Sequence, residues 1–151
     1  MEENHDAPML LGQYDHTIDD KNRLTLPARF RQSFAGGAVV TRGMDGCLVV
    51  YPREQWTRLA DAVRSHDSFK TDSRRMQRFF FAAAAEDSPD KQGRIVVPSA
   101  LLETAGIDRE VVVAGVLDHL EIWDRGAWRQ EMQLVEGSAE DVAQRLATTR
   151  D

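Results

Sequence analysis

The nine residues DDKNRLTLP at 19–27 return as DKQGRIVVP at 90–98, with Asp, three residues, Arg, three residues and Pro kept in register. Laid over itself with an offset of 71, the chain matches Asp19 with Asp90, Arg23 with Arg94 and Pro27 with Pro98. Beyond the following helix, after one extra residue in the second copy, the offset becomes 72. Val39 and Val40 then meet Val111 and Val112, Gly43 meets Gly115, Leu48 meets Leu120, and Val50 meets Ile122. Tyr51 meets Trp123, and Trp56 meets Trp128. So many matches in order, with a single one-residue insertion, identify a tandem duplication of a unit of about 45 residues, 12–56 and 84–128. A unit that small buries too little surface to stand alone. The two copies are therefore expected to pack on each other as a pseudo-twofold pair.

Within each unit a strand leads to a turn, a short alternating strand and a proline. Pro27 and Pro98 are each expected to open a short helix, where a missing N–H is no loss. Two further strands follow, AVVTRG with CLVVYP and VVVAGV with HLEIWD, and the MDG at 44–46 marks a hairpin turn between the first pair. Residues 57–83 connect the units. Trp56, Leu59, Ala60 and Val63 form one stripe over an expected helix 53–64, and Met76, Phe79, Phe80 and Ala83 another over 72–84. Residues 129–151 form a helical tail. Trp128, Met132 and Val135 continue the pattern, and Ser138 with Asp141 suggests a new helix start. The expected class is α+β, mainly β with flanking helices, with residues 1–8 as a flexible leader.

Composition sets the remaining bounds. A 42% hydrophobic and 29% charged chain is ordinary for a globular domain, and its longest apolar runs are too short to span a bilayer. The start shows no basic segment leading into an apolar one. The lone Cys47 excludes an internal disulfide and fits a reducing cytoplasm. Cys47 reads as structural, and the histidines at 5, 16, 66 and 119 lack metal-ligand spacing. No nucleophile elbow, phosphate loop or paired-carboxylate site appears, so neither catalysis nor a cofactor or small-molecule substrate is expected. The net charge of −6 argues mildly against a nucleic-acid partner, but it is unevenly spread. Residues 53–81 carry seven Lys or Arg against four acids, while 103–151 carry eleven acids against five Arg. Arg74, Arg75 and Arg78 face either nucleic acid or a subunit interface, and the unpartnered C-terminal acids favour the interface.

In the repeated turn, Asn22 of one copy takes the place of Gly93 in the other, and these are the two residue types most tolerant of positive φ. A left-handed residue before each arginine follows. Two readings of the Asp-x-x-x-Arg pair remain open. It shapes a turn as a salt bridge of about 0 to 1 kcal/mol. Alternatively, the acid orients the guanidinium so that its fork is offered to phosphate or to a guanine edge.

The doubled signature, together with LLGQYDHTIDDKNRLTLPARFR near the start and LEIWDRGAW late in the chain, resembles the MraZ family from Met9 to about residue 145. That resemblance implies two tandem swapped-hairpin units of the SpoVT/AbrB type forming a pseudo-twofold barrel. It further implies a homo-oligomeric ring that binds short direct repeats of double-stranded promoter DNA upstream of a cell-division and cell-wall gene cluster, usually as a repressor, in the cytoplasm and on the nucleoid. By the same resemblance Arg23 and Arg94 contact DNA, Asp19 and Asp90 hold them, and Lys21 and Lys91 add phosphate contacts. Asn22 stands where the family usually has Gly. The competing class is a protein-interaction or antidote module of the same fold with no DNA role of its own.

Overall fold

The computed structural model describes residues 8–149, so residues 1–7 of the expected leader lie outside the described residues. The chain runs β1 (Leu10–Thr17), β2 (Arg23–Thr25), a 3-10 helix (Ala28–Phe34), β3 (Ala38–Arg42), a short 3-10 turn (Met44–Gly46) and β4 (Leu48–Pro52). Then come α1 (Arg53–Arg64), α2 (Thr71–Phe81), β5 (Ala85–Asp87), β6 (Arg94–Val96), α3 (Ser99–Thr104), β7 (Glu110–Leu117), β8 (Leu120–Asp124) and α4 (Arg125–Thr148). The class is α+β, and the strand pairs are antiparallel.

Six strands form one sheet in the order β1-β7-β8-β4-β3-β5, while β2 and β6 form a separate two-stranded ribbon. The units are interlaced. The first strand of each pairs with the other unit, β1 with β7 and β5 with β3, and the ribbon takes one strand from each. Exchanging the two units turns the six-strand order into its own reverse. The sheet is open at β1 and β5, and no closed barrel is found. The short strands β2 and β6 spend their ladder bonds on each other, and lie over the sheet as a cover.

Alternation decides which side chains enter the core. Val40, Leu48, Val50, Val111, Val113, Leu120 and Ile122 project from one sheet face towards Leu24 and Ile95 of the ribbon and Phe30 and Phe34 of the 3-10 helix, all at most 1% exposed. The opposite face carries Val49, Trp123 and Cys47, against which Trp128 of α4 packs, its ring 5.7 Å from Trp123. Helix α1 reaches this side through Trp56, 5.8 Å from Tyr51 and 4.8 Å from Phe81.

Helix α1 spans the expected 53–64, but α2 ends at Phe81 and not at 84. Its last carbonyls are taken by the sheet: the buried Thr41 hydroxyl donates to Phe80 O (2.5 Å) and Arg42 Nε to Phe79 O (3.0 Å). Side chains thus supply what a further helical turn would have. Pro27 and Pro98, expected as the first helical residues, are cap residues with extended ψ of 138° and 141°, and the helices start one position later at Ala28 and Ser99. Ser138 starts no helix. It lies inside α4 and donates to Leu134 O (2.6 Å), while Asp124 caps the true start by accepting from Ala127 N (3.0 Å). With no proline between Asp124 and Thr148, nothing interrupts the helix. The copies also differ at their first strand. Pro89 stands in the place of Ile18 and has no N–H for the bond that Ile18 makes to Arg109 O, and β5 has three residues where β1 has eight.

Candidate functional site

Both repeated turns fold identically. Asp19 Oδ1 accepts from the backbone N–H of Lys21 (3.0 Å) and of Arg23 (2.8 Å), and Oδ2 accepts from Arg23 Nε (2.8 Å). In the second copy Asp90 Oδ1 accepts from Gln92 N and Arg94 N (both 2.9 Å), and Oδ2 from Arg94 Nε (2.8 Å). The backbone closes each loop, through Asn22 N to Asp19 O and Gly93 N to Asp90 O. Asn22 has φ 59° and Gly93 φ 77°, the left-handed bend that brings Arg back over Asp. Each turn is also tied to the other unit: Leu26 N donates to Gly93 O and Val97 N to Asn22 O, both at 2.8 Å.

Guanidinium anchoring through Nε alone has a chemical consequence. The Asp carboxylate fixes the plane, and among the described residues the two terminal nitrogens of Arg23 and Arg94 have no acceptor. Each arginine therefore presents a pre-oriented two-donor fork, with its side chain 27% or 28% exposed. Such a fork matches two acceptors side by side, as on a phosphate or on guanine O6 and N7. Asp19 and Asp90 are held below the ordinary aspartate pKa, first by the backbone N–H of Arg23 or Arg94. Burial opposes this, while the guanidinium and the N–H of Lys21 or Gln92 reinforce it. Depressed carboxyls contribute stability that is complete above the unfolded value of about 3.9 and is lost as pH falls through the lower folded value. At neutral pH both clamps are charged.

The ribbon register places Arg23 opposite Val96, Leu24 opposite Ile95 and Thr25 opposite Arg94. Leu24 and Ile95 point inward and are fully buried, so the four others share the outer face. Arg23 and Arg94 are diagonal neighbours there, about 7–8 Å apart. Lys21 and Lys91 are exposed on the flanking turns and, among the described residues, make no ion pair. The spacing of the motif did not single out Thr25, Val96 or Arg31. For the first two, alternation about Leu24 and Ile95 was the available signal.

Arg31 lies over the second turn, its Nε donating to Leu26 O (3.0 Å). A Cβ at position 93 would stand 2.4 Å from that Nε. Leu102 occupies the matching place in the other unit, which accounts for a side chain being possible at Asn22 and not at Gly93. Gly93→Ala is expected to cost about 1–2 kcal/mol for its left-handed backbone and more for displacing Arg31. Urea unfolding should show the excess relieved when Arg31→Ala is added.

Cys47 and Arg74 have local structural roles. Cys47 is 2% exposed, its Sγ lies 3.2 Å from Met44 O, and burial pushes its thiol up to about 12, so it offers no thiolate at neutral pH. Arg74 ties down the α1–α2 connection by donating to Ser68 O and Phe69 O (3.0 and 2.7 Å). Arg75 and Arg78 are exposed. Among the described residues no three metal-ligating side chains cluster, and no helix is long and apolar enough to cross a membrane.

The family described as "MraZ protein, putative antitoxin-like" matches the chain twice, over residues 9–79 and 80–150. A protein named Transcriptional regulator MraZ from Heliobacterium modesticaldum is 44% identical over 138 residues, covering 91% of this chain and 96% of that relative. Relatives of the same name from Thermomicrobium roseum and Roseiflexus castenholzii are also 44% identical, over 140 and 142 residues. They cover 93% and 94% of this chain and 99% of each relative.

Proposed function

The chain belongs to the MraZ family, and on that footing we propose that it is a DNA-binding transcription regulator whose β2–β6 ribbon is the reading element. The observation that carries this is the pair of Nε-anchored arginines on one outward face, each with a free terminal fork. A two-stranded ribbon fits the major groove. Asp19 and Asp90 orient the forks, Lys21 and Lys91 contact phosphate, and Asn22 and Gly93 supply the bend. The two units, 12–56 and 84–128, act as one reader related by a pseudo-twofold axis through the Leu24–Ile95 pair.

A single ribbon brings few cations to DNA, and the chain as a whole is acidic. Selective binding therefore rests on a homo-oligomeric ring that engages several short direct repeats, where linkage supplies effective concentration. Two complementary surfaces support a head-to-tail contact of the kind that closes rings. One is the acidic middle of α4, residues 131–141, with Glu131, Glu136, Glu140 and Asp141 and no Lys or Arg. The other is the α2 side, with Arg75, Arg78 and the exposed Met76 and Phe69. We assign its target to promoter DNA of the cell-division and cell-wall cluster, its action to repression, and its place to the cytoplasm and nucleoid.

Fluorescence anisotropy with DNA from upstream of this protein's own gene, against shuffled DNA, tests the reading. Selective binding is expected to fall steeply between 50 and 200 mM salt, by roughly the 10³–10⁵ of a protein making 6–10 phosphate contacts. The oligomeric state should be monitored at each salt concentration. Equal affinity for both DNAs, or none, would turn attention to a protein partner.

A further inference from the structure

The outer face of the ribbon strands is symmetric in its two arginines and asymmetric at its other two positions. Exchanging the units carries Arg23 onto Arg94 and Thr25 onto Val96. Thr and Val have nearly the same shape, so the two halves of the face differ by a hydroxyl against a methyl. A face with perfect twofold symmetry would dock equally well in either direction along DNA. Direct repeats all run one way, and a reader of them needs polarity. Differences at the turn tips, such as Lys21 against Gln92, fall where phosphate contacts position the protein without specifying sequence. On the part of the face that would meet base edges, only Thr25 and Val96 differ.

Both side chains are suited to different partners. Val96 is 48% exposed, an apolar β-branched group between two guanidinium forks, and its backbone is fixed because Val96 N donates to Asp87 Oδ2 (2.7 Å). Thr25 is half-buried, and among the described residues its hydroxyl has no hydrogen-bond partner. We propose that Val96 packs on the 5-methyl group of a thymine in each repeat, that the Thr25 hydroxyl meets a base edge at the symmetry-related position, and that this pair sets the direction in which each subunit lies on its repeat. The inference rests on the ribbon being the DNA reader. Apolar contact with the thymine methyl is one of the ordinary modes of major-groove recognition.

The test uses the full chain and the same promoter DNA, with deoxyuridine replacing thymine at one position of every repeat. This removes the methyl and leaves the base's hydrogen-bonding edge intact. Wild type should lose about fourfold in affinity per repeat engaged at one thymine, the worth of one buried carbon, and little elsewhere. The exchange variant Thr25→Val with Val96→Thr keeps shape and strand preference, so it should fold and assemble normally. Its uridine sensitivity should move to the symmetry-related position, or its preference should turn to the reversed repeat. Selective wild-type binding that ignores every uridine, or an exchange variant with the wild-type profile, would overturn the role of the pair while leaving the ribbon as reader. No selective binding by wild type would instead remove the reading beneath it.

Discussion

Arg23→Ala with Arg94→Ala is expected to leave a folded, assembled protein that no longer distinguishes its DNA. Each lost bidentate fork removes about 1–3 kcal/mol of discrimination, so the pair should cost at least about 30-fold in selective affinity even for one subunit. Folding should be spared, because an exposed ion pair contributes only about 0–1 kcal/mol and each Asp keeps its two backbone N–H donors. Replacement by lysine is the sharper comparison. Lysine keeps the charge but has no Nε–H to anchor and no planar fork. Arg23→Lys with Arg94→Lys should therefore keep much of the salt-sensitive binding to any DNA and lose the preference for the promoter. Anisotropy on promoter and shuffled DNA would separate these outcomes. A lysine variant as selective as wild type would show that the forks act as point charges only.

The second large effect is expected from α4. Trp128, Met132, Val135, Ala139, Val142 and Leu146 are spaced alternately by four and three, the apolar seam of a helix that packs along another helix. Among the described residues the start of this stripe is the part packed on the sheet, where Trp128 meets Trp123. Val135 and Val142 are 42% and 38% exposed, and Leu146 is 66% exposed. Twenty-four helical residues extend about 36 Å, far enough to leave the sheet behind. Val135→Glu with Val142→Glu should give a protein with unchanged circular dichroism that light scattering finds as a monomer. Its affinity for an array of repeats should fall by about 10²–10⁴, the usual scale of linked binding, while affinity for a single repeat stays as it was. An oligomer that survives both charges would place the contact elsewhere.

The duplication and the place of most elements were legible because each depends on local chemistry. Helix α1 follows from a 3.6-residue stripe, and the bend at Asn22 and Gly93 from two residue types sharing one position. What was not legible depended on partners distant in sequence. The end of α2 is set by Thr41 and Arg42, about forty residues earlier, and no pattern within 72–84 announces that. The failure of the sheet to close lies in β2 and β6 pairing with each other, a choice among strands that alternation cannot make. At the site, Asp-x-x-x-Arg spacing gave the clamp, but the use of Nε and the freeing of the terminal nitrogens are matters of side-chain geometry. Likewise Ser138 resembles a cap only when the uninterrupted seam on either side of it is ignored.

The interlacing of the two units also governs when this protein can come into being. Leu10 lies beside Leu117 and Thr17 beside Glu110, so the first strand must wait for the emergence of residues about a hundred positions later. Closing so large a loop has to precede any reward from the contact, which makes such topologies slow to fold. At about 5–20 residues per second of synthesis, the amino-terminal half is left for several seconds or more with Leu24, Phe30 and Phe34 uncovered by their partners. A nascent chain halted before β6 would contain one complete copy of the turn sequence and yet no ribbon. The fold is thus assembled only once β7 has been translated, and the wait before it is where a holding chaperone would act.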